Sequence, residues 1–161
     1  MGNAYDDAKY GVVQRKWFGI ESRGGYRGYT FGTTDATSIT HVKRWYPGRG
    51  PVKLLKAAVV RLATMTNASN DIIPVSFYTR GASASLACTL YAKNTSTAQA
   101  PWTVSSTTSL DYTTCKAGEY ITIKSGTPRT DKGTAANTAT TTGTVAFYVD
   151  YVPLYSTSWD L

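Results

Sequence analysis

An antiparallel, all-β sandwich is the fold class that this sequence predicts, and three observations predict it. Only 17% of the residues are charged, against about 25% in an average soluble domain, and Thr and Ser stand in their place. The twelve Tyr, four Trp and many Thr suit a pleated, half-exposed surface, whereas the straight-chain residues that build soluble helices are scarce. Short runs of alternating polarity recur at intervals of about 8–12 residues between clusters of turn formers. At 161 residues the chain is long enough for one compact core, because a domain of roughly 150 residues buries about 70% of its unfolded surface.

Residues 1–9 are small, polar and unpatterned and are expected to form an extended N-terminal arm, with the sandwich over 10–161. Residues 9–21 set Val12, Val13, Trp17, Phe18 and Ile20 among Gln14, Arg15 and Lys16, as an extended segment or strand does. A stretch rich in Gly, Arg and Tyr follows over 22–34. A strand-like run over 39–46 is then closed by the turn formers Pro47, Gly48, Arg49, Gly50 and Pro51. Residues 52–66, VKLLKAAVVRLATMT, carry two periods at once: Leu55, Val59 and Leu62 lie at helical spacing, while Val52, Leu54, Ala58, Val60 and Leu62 alternate. A long strand is favoured over a helix, since Gly-Pro opens the segment without a capping residue and β-branched residues fill its middle and end.

Residues 72–78 alternate Ile73, Val75 and Phe77 against Ile72, Pro74 and Ser76, and Pro74 suits an edge or a bulge. Residues 86–92 alternate Leu86, Cys88 and Leu90 with Ala87, Thr89 and Tyr91; 93–100 is loop by composition, and 102–106 is expected to form a short strand. After a turn at Lys116, Ala117 and Gly118, residues 119–124 turn Ile121 and Ile123 to the core. Residues 125–143 are too polar to pack and read as one long surface loop. The final strand, 144–152, sets Val145, Phe147, Val149 and Tyr151 against Ala146, Tyr148 and Asp150, and the aromatic tail 153–161 is expected to dock on a neighbour. About eight strands in two sheets make a jelly roll.

The net charge of +7 is unevenly spread: residues 1–61 hold eleven Lys and Arg against four Asp and Glu, and residues 62–161 hold six of each. An anionic partner is therefore to be sought at the first part of the chain. Cys88 and Cys115 match no zinc or redox spacing. Cys88 reads as a small buried hydrophobe in an apolar strand, and Cys115, in a loop-like stretch beside Lys116, as an exposed thiol; the spacing leaves a disulfide between them open. The first residues, MGNAYDDAKYG, lack the apolar core of a secretory signal, so synthesis in a reducing compartment is expected, and Asp6 stands where a myristoylation motif needs Ser or Thr. No run of about 18 apolar residues calls for a membrane helix.

Catalysis is not expected. His41 is the single histidine and lies in a strand-like run, and Asp71, Asp111, Asp131 and Asp150 are scattered, so no nucleophile–base pair, metal cluster or cofactor loop is spelled out. The sharpest local feature is Arg23, Gly24, Gly25, Tyr26, Arg27, Gly28 and Tyr29, which resembles an RGG-type RNA-binding segment but, as a single short instance, reads more readily as a flexible turn entering a β-domain. A second basic segment, 41–56, surrounds Trp45 and Tyr46 with Lys43, Arg44, Arg49, Lys53 and Lys56. Arg with aromatic residues is also the composition of protein interfaces, which combine buried area with directed hydrogen bonds. The candidate partner contacts are therefore Tyr5 of the arm, Arg15, Lys16, Trp17, Arg23, Tyr26, Arg27, Tyr29, Arg44, Trp45 and Arg49.

A polar arm, a basic aromatic lead-in and a Thr/Ser/Ala-rich β-domain containing PVSFYTRGASASLACTLYAKN and ending in GTVAFYVDYVPLY together resemble the jelly-roll cement, or decoration, proteins of tailed-phage capsids. The resemblance is one of organisation. It implies a homotrimer that clamps neighbouring major capsid protein subunits on the surface of a virion assembled in the host cytoplasm, without catalytic residues or cofactor. Two other readings stand beside it. Trp102, Trp159 and the many Tyr fit a carbohydrate- or receptor-binding sandwich, and the Arg/Gly/Tyr stretch fits a nucleic-acid binder whose affinity falls steeply with salt; nucleic acid is the less expected partner.

Overall fold

The computed structural model describes residues 11–19, 29–31, 42–48, 50–64, 71–79, 85–93, 100–125, 129–130 and 143–154. Eleven strands run through them and, among the described residues, no helix: β1 (Gln14–Phe18), β2 (Tyr29–Phe31), β3 (Val42–Trp45), β4 (Val52–Arg61), β5 (Asp71–Tyr78), β6 (Leu86–Lys93), β7 (Val104–Thr107), β8 (Thr114–Cys115), β9 (Ile121–Ser125), β10 (Arg129–Thr130) and β11 (Gly143–Pro153).

All pairings are antiparallel, and several short strands share a row. β1 and β2 lie end to end along β11, β7 and β8 along β4, and β9 and β10 along β5. Counted by rows, sheet one runs first–eighth–third–sixth (β1/β2, β11, β4, β7/β8) and sheet two runs second–seventh–fourth–fifth (β3, β9/β10, β5, β6). Two four-row sheets in that order are a jelly roll, the expected fold.

Its core is where the inner faces meet. Leu54, Val59, Val145, Phe147 and Val149 of sheet one bury against Val75, Phe77, Ile121 and Ile123 of sheet two. Phe77 and Phe147 touch edge to face across the sandwich, 6.4 Å between ring centroids, and a fully buried ring of this kind contributes about 1.5–3 kcal/mol. The Ile121/Ile123 face is the core face, as the alternation predicts.

Residues 52–61 form a strand and not a helix, but its alternation does not hold to one face. Asp150 sits opposite Lys56 and Tyr151 opposite Leu54, so Leu55 is an extra residue bulged out of the β4 ladder. The bulge changes the phase by one residue. Val52 and Leu54 face the core before it, and Ala57 and Val59 after it, while Ala58 and Val60 belong to a separate cluster on the outer face. Of the three residues at helical spacing, Leu55 is the bulged one, Val59 faces the core and Leu62 packs with the outer cluster, so they share no face.

A similar slip affects β6. Phe77 pairs with Cys88 and Tyr78 with Leu86, so Ala87 is the extra residue; it is buried, and Leu86, which the alternation groups with Cys88 and Leu90, is exposed. The ladder also slips between Ile73 and Pro74, so of the two settings expected for this proline, an edge or a bulge, the irregularity is the one found. Three further expectations are corrected. The polar stretch 125–143 is not one loop, because Arg129 and Thr130 pair with β5. Cys115 is not exposed: it pairs with Val52 in β8 and is fully buried. The strand expected from Trp102 begins at Val104, because Trp102 takes a left-handed φ of 63° in a turn. The turn at residues 116–119 is as predicted, with Gly118 at φ 77°, the Glu119 N–H bonded to the Lys116 carbonyl at 3.1 Å and the Glu119 carboxylate taking the Lys116 N–H at 2.8 Å.

Candidate protein-binding surfaces

The outer face of sheet one is built around Tyr148. The register sets Arg15 opposite Asp150 and Trp17 opposite Tyr148 on neighbouring strands, with all four on the face turned away from Phe147. Arg15 makes a two-pronged ion pair with Asp150, Nε to Oδ1 at 2.6 Å and Nη2 to Oδ2 at 2.8 Å. The same guanidinium lies 4.0 Å above the Tyr148 ring, and the Asp150 hydrogen bond raises its pKa. Trp17 packs on the other part of Tyr148 at 4.8 Å, and Ala58, Val60 and Leu62 complete an apolar patch. Arg15 thus spends its charge within the molecule, and Trp17 is half-buried.

The outer face of sheet two carries its cations differently. Arg44 of β3 is exposed and lies 5.3 Å over the Tyr120 ring, with Tyr46 packed on the same tyrosine at 5.2 Å. Lys124 lies 5.2 Å over the Tyr78 ring. Between them Thr122, opposite both Arg44 and Tyr78, is fully buried although it is on the face turned away from Ile121 and Ile123. Thr122 thus sits in the ladder between the two cation–tyrosine pairs.

Trp45, expected at a partner contact, turns inward instead. Its ring packs edge to face with Phe18 at 6.3 Å and Tyr151 at 4.7 Å, sealing the side of the sandwich where β1 and β3 meet. Lys16 remains exposed on β1. Tyr29 belongs to β2, and Tyr5, Arg23, Tyr26, Arg27 and Arg49 lie outside the described residues, as does His41. The structure brings Arg15 and Trp17 together on one face and Arg44 onto the other. Tyr46, singled out with the basic segment 41–56, and Tyr78, Tyr120, Lys124 and Tyr148, which were not singled out from sequence, complete these surfaces; the alternation over residues 119–124 and along β11 places Tyr120, Lys124 and Tyr148 opposite the core, but which cation meets which ring depends on strand pairing.

The opposite side, where β6 and β7 meet, is closed by Arg61. Its guanidinium is buried and donates to the Thr103 hydroxyl at 3.1 Å, the Ser105 hydroxyl at 3.0 Å and the Tyr91 carbonyl at 3.2 Å, joining the two sheets. Burial pushes its pKa down. Both cysteines are free thiols. Burial is the main cause that raises Cys88 to about 12 and Cys115 to about 11, so neither is a ready nucleophile. Among the described residues no group of three His, Cys, Asp or Glu side chains is placed to hold a metal ion, and no helix is long and apolar enough to cross a membrane.

No family model and no curated protein matches this chain. Among solved structures it is similar to infectious bursal disease virus Gx strain, at 9% identity and a TM-score of 0.33 over 92% of this chain and 32% of that one. A mutant VP2 protein of infectious bursal disease virus from derived T=1 particles shows 9% identity and a TM-score of 0.30 over 94% and 43%. The chain spans between a third and a half of the length of the solved chains it matches. Likeness at these values adds nothing to what the strand order already establishes.

Proposed function

We propose that this chain is a structural protein of a virus shell, acting by contact with protein surfaces and not by catalysis. In its finer form the reading is a cement, or decoration, protein that docks on the major capsid protein as a homo-oligomer, a trimer in line with the organisational resemblance. The observation that carries it is the outer face of sheet two. Arg44 and Lys124 are held over Tyr120 and Tyr78, on either side of the buried Thr122. Arg and Tyr in this arrangement lose little side-chain freedom on binding and present donors to carboxylates. Rings already capped by cations are also poor platforms for stacking bases or sugars, which favours a protein partner over nucleic acid or glycan.

The test is cosedimentation of the full chain with assembled shells of the virus that encodes it. The wild type is expected to pellet with the shells, and R44E/K124E to lose at least tenfold in affinity. A chain that stays in the supernatant while retarding single-stranded DNA or RNA at low salt, or binding a glycan array, overturns the reading in favour of those ligands.

A further inference from the structure

The outer faces of the two sheets carry the same arrangement twice, once complete and once short of a carboxylate. On sheet one, Arg15 of β1 stands opposite Asp150 of β11, Tyr148 comes two residues before Asp150, and Trp17, two residues after Arg15, packs on that tyrosine. The Arg15 guanidinium lies 4.0 Å over the Tyr148 ring while its Nε and Nη2 take both oxygens of Asp150. On sheet two, Arg44 of β3 stands opposite Thr122 of β9, Tyr120 comes two residues before Thr122, and Tyr46, two residues after Arg44, packs on that tyrosine. The Arg44 guanidinium lies 5.3 Å over the Tyr120 ring. Here, however, Thr122 holds the position that Asp150 holds on sheet one, and among the described residues Arg44 pairs with no carboxylate.

The hydroxyl that stands in place of the carboxylate is itself unsatisfied. Thr122 is fully buried, and its Oγ1 has no hydrogen-bond partner, whereas Ser76 and Thr89 in the neighbouring ladder satisfy each other at 3.0 Å. A buried hydroxyl in that state has lost its hydration with nothing in return, so it calls for an explanation beyond packing. Valine has the same shape and suits a strand as well, so the fold alone gives position 122 no reason to hold Thr. Arg44 is exposed, and a ring beneath a guanidinium leaves the N–H donors at its edge unused. Residues opposite each other on antiparallel strands have Cβ atoms about 4.5–5.5 Å apart. Guanidinium and hydroxyl are therefore neighbours, and both want the same thing, an anionic acceptor.

We infer that the missing carboxylate comes from the partner: an Asp or Glu side chain of the shell protein docks on the edge of the Arg44 guanidinium and accepts a further hydrogen bond from the Thr122 hydroxyl. Since Thr122 is buried, its hydroxyl is reached as the Arg44 stem, long and exposed, gives way beside it. Arg15 pairs with a carboxylate and stacks on a tyrosine at once, so Arg44 keeps its place over Tyr120. With that ring still capped, no bare aromatic face is offered to a base, which favours a carboxylate over the phosphate of a nucleic acid. The inference deepens the docking surface proposed above by naming what it recognises, and it rests on that reading.

The experiment follows the isotope-labelled full chain by NMR as N-acetyl-tetraglutamate amide is added at low salt, with inorganic phosphate in a parallel titration. The peptide is expected to shift the amide signals of Arg44, Tyr120 and Thr122 saturably, and phosphate to bind there more weakly. T122V should weaken the peptide about tenfold, the usual loss for a hydrogen bond to a charged group, and R44Q should abolish binding. T122S, which keeps the hydroxyl, should bind like wild type. T122V should also unfold at or above the wild-type temperature, because the group removed had no partner in the free protein. A peptide that leaves these signals unmoved overturns the inference, as does a T122V that binds like wild type or unfolds at a lower temperature. Phosphate that binds the same residues as tightly as the peptide overturns it in favour of a phosphate-bearing partner. Shells that retain T122V as well as wild type sink the carboxylate seat alone; a wild type that binds the peptide but ignores shells sinks the shell reading alone.

Discussion

The two lateral sides of the sandwich solve one problem in opposite ways. Where two twisted sheets diverge, side chains of ordinary length no longer meet, and the gap must be filled or bridged. On the β1/β3 side it is filled by rings, with Trp45 between Phe18 and Tyr151. On the β6/β7 side it is bridged by Arg61, whose fork reaches two hydroxyls and a carbonyl across the sheets. Rings contribute area and accept small misplacements; a buried guanidinium contributes direction, at the cost of desolvation, and is worth keeping only with its donors satisfied. The first side can therefore carry cations on its rim and the second can leave its outer strand uncharged.

Breaking the ring-filled side is expected to cost most. Trp45→Ala should lose about 3 kcal/mol, the low end for a packed aromatic because the ring is only half-buried, which lowers the unfolding temperature by about 6–12 °C. Arg61→Ala should lose about 2 kcal/mol by stranding acceptors in the interior, and Arg61→Met, which keeps the stem, should lose less; denaturant titration separates the two. If Arg61→Met proves the worse of the pair, the bridge is not what closes that side. On the exposed part of the first side, Asp150→Ala should cost about 1 kcal/mol at most, and the loss should shrink at high salt, since the ion pair is open to water.

The smallest effect belongs to the thiols. Folding raises Cys88 and Cys115 above the ordinary value of 9.0, to about 12 and about 11, so the unfolded chain loses thiol protons first. Their contribution to stability is complete below pH 9 and declines as pH rises from there through about 11 to 12. Replacing both by Ala should flatten that alkaline decline, measured as unfolding temperature against pH, and the fully buried Cys115 should react with iodoacetamide at pH 8 only at the rate at which the native protein opens.

Much of the fold was legible wherever a strand keeps one phase. Val145, Phe147 and Val149, or Ile121 and Ile123, alternate without interruption and face the core as their spacing predicts. Phase failed at Leu55 and Ala87, because a bulge is a relation between two strands, and neither residue type marks it. β2, β8 and β10 are three residues or fewer, too short for any period to be seen, and Cys115 took its burial from such a strand. The candidate surface was legible in composition, since Arg15, Trp17 and Arg44 reach the outer faces, but not in detail: Trp45 has the same composition signal and spends its ring on the core.

What the sequence determined by itself is the class of structure and the supply of contacts. Alternation of β-branched and aromatic residues with Thr and Ser commits the chain to pleated sheets, and an excess of cations in residues 1–61 commits one part of it to a charged surface, because both follow from local chemistry. Only the tertiary structure decided which cations are spent internally, as Arg15 on Asp150 and Arg61 on the opposite sheet, and which remain outward on β1 and β3. That choice depends on which strands become neighbours. In a jelly roll those neighbours are distant in sequence, 135 residues apart for Arg15 and Asp150, so burial, register and sidedness arise only when the sheets close on each other.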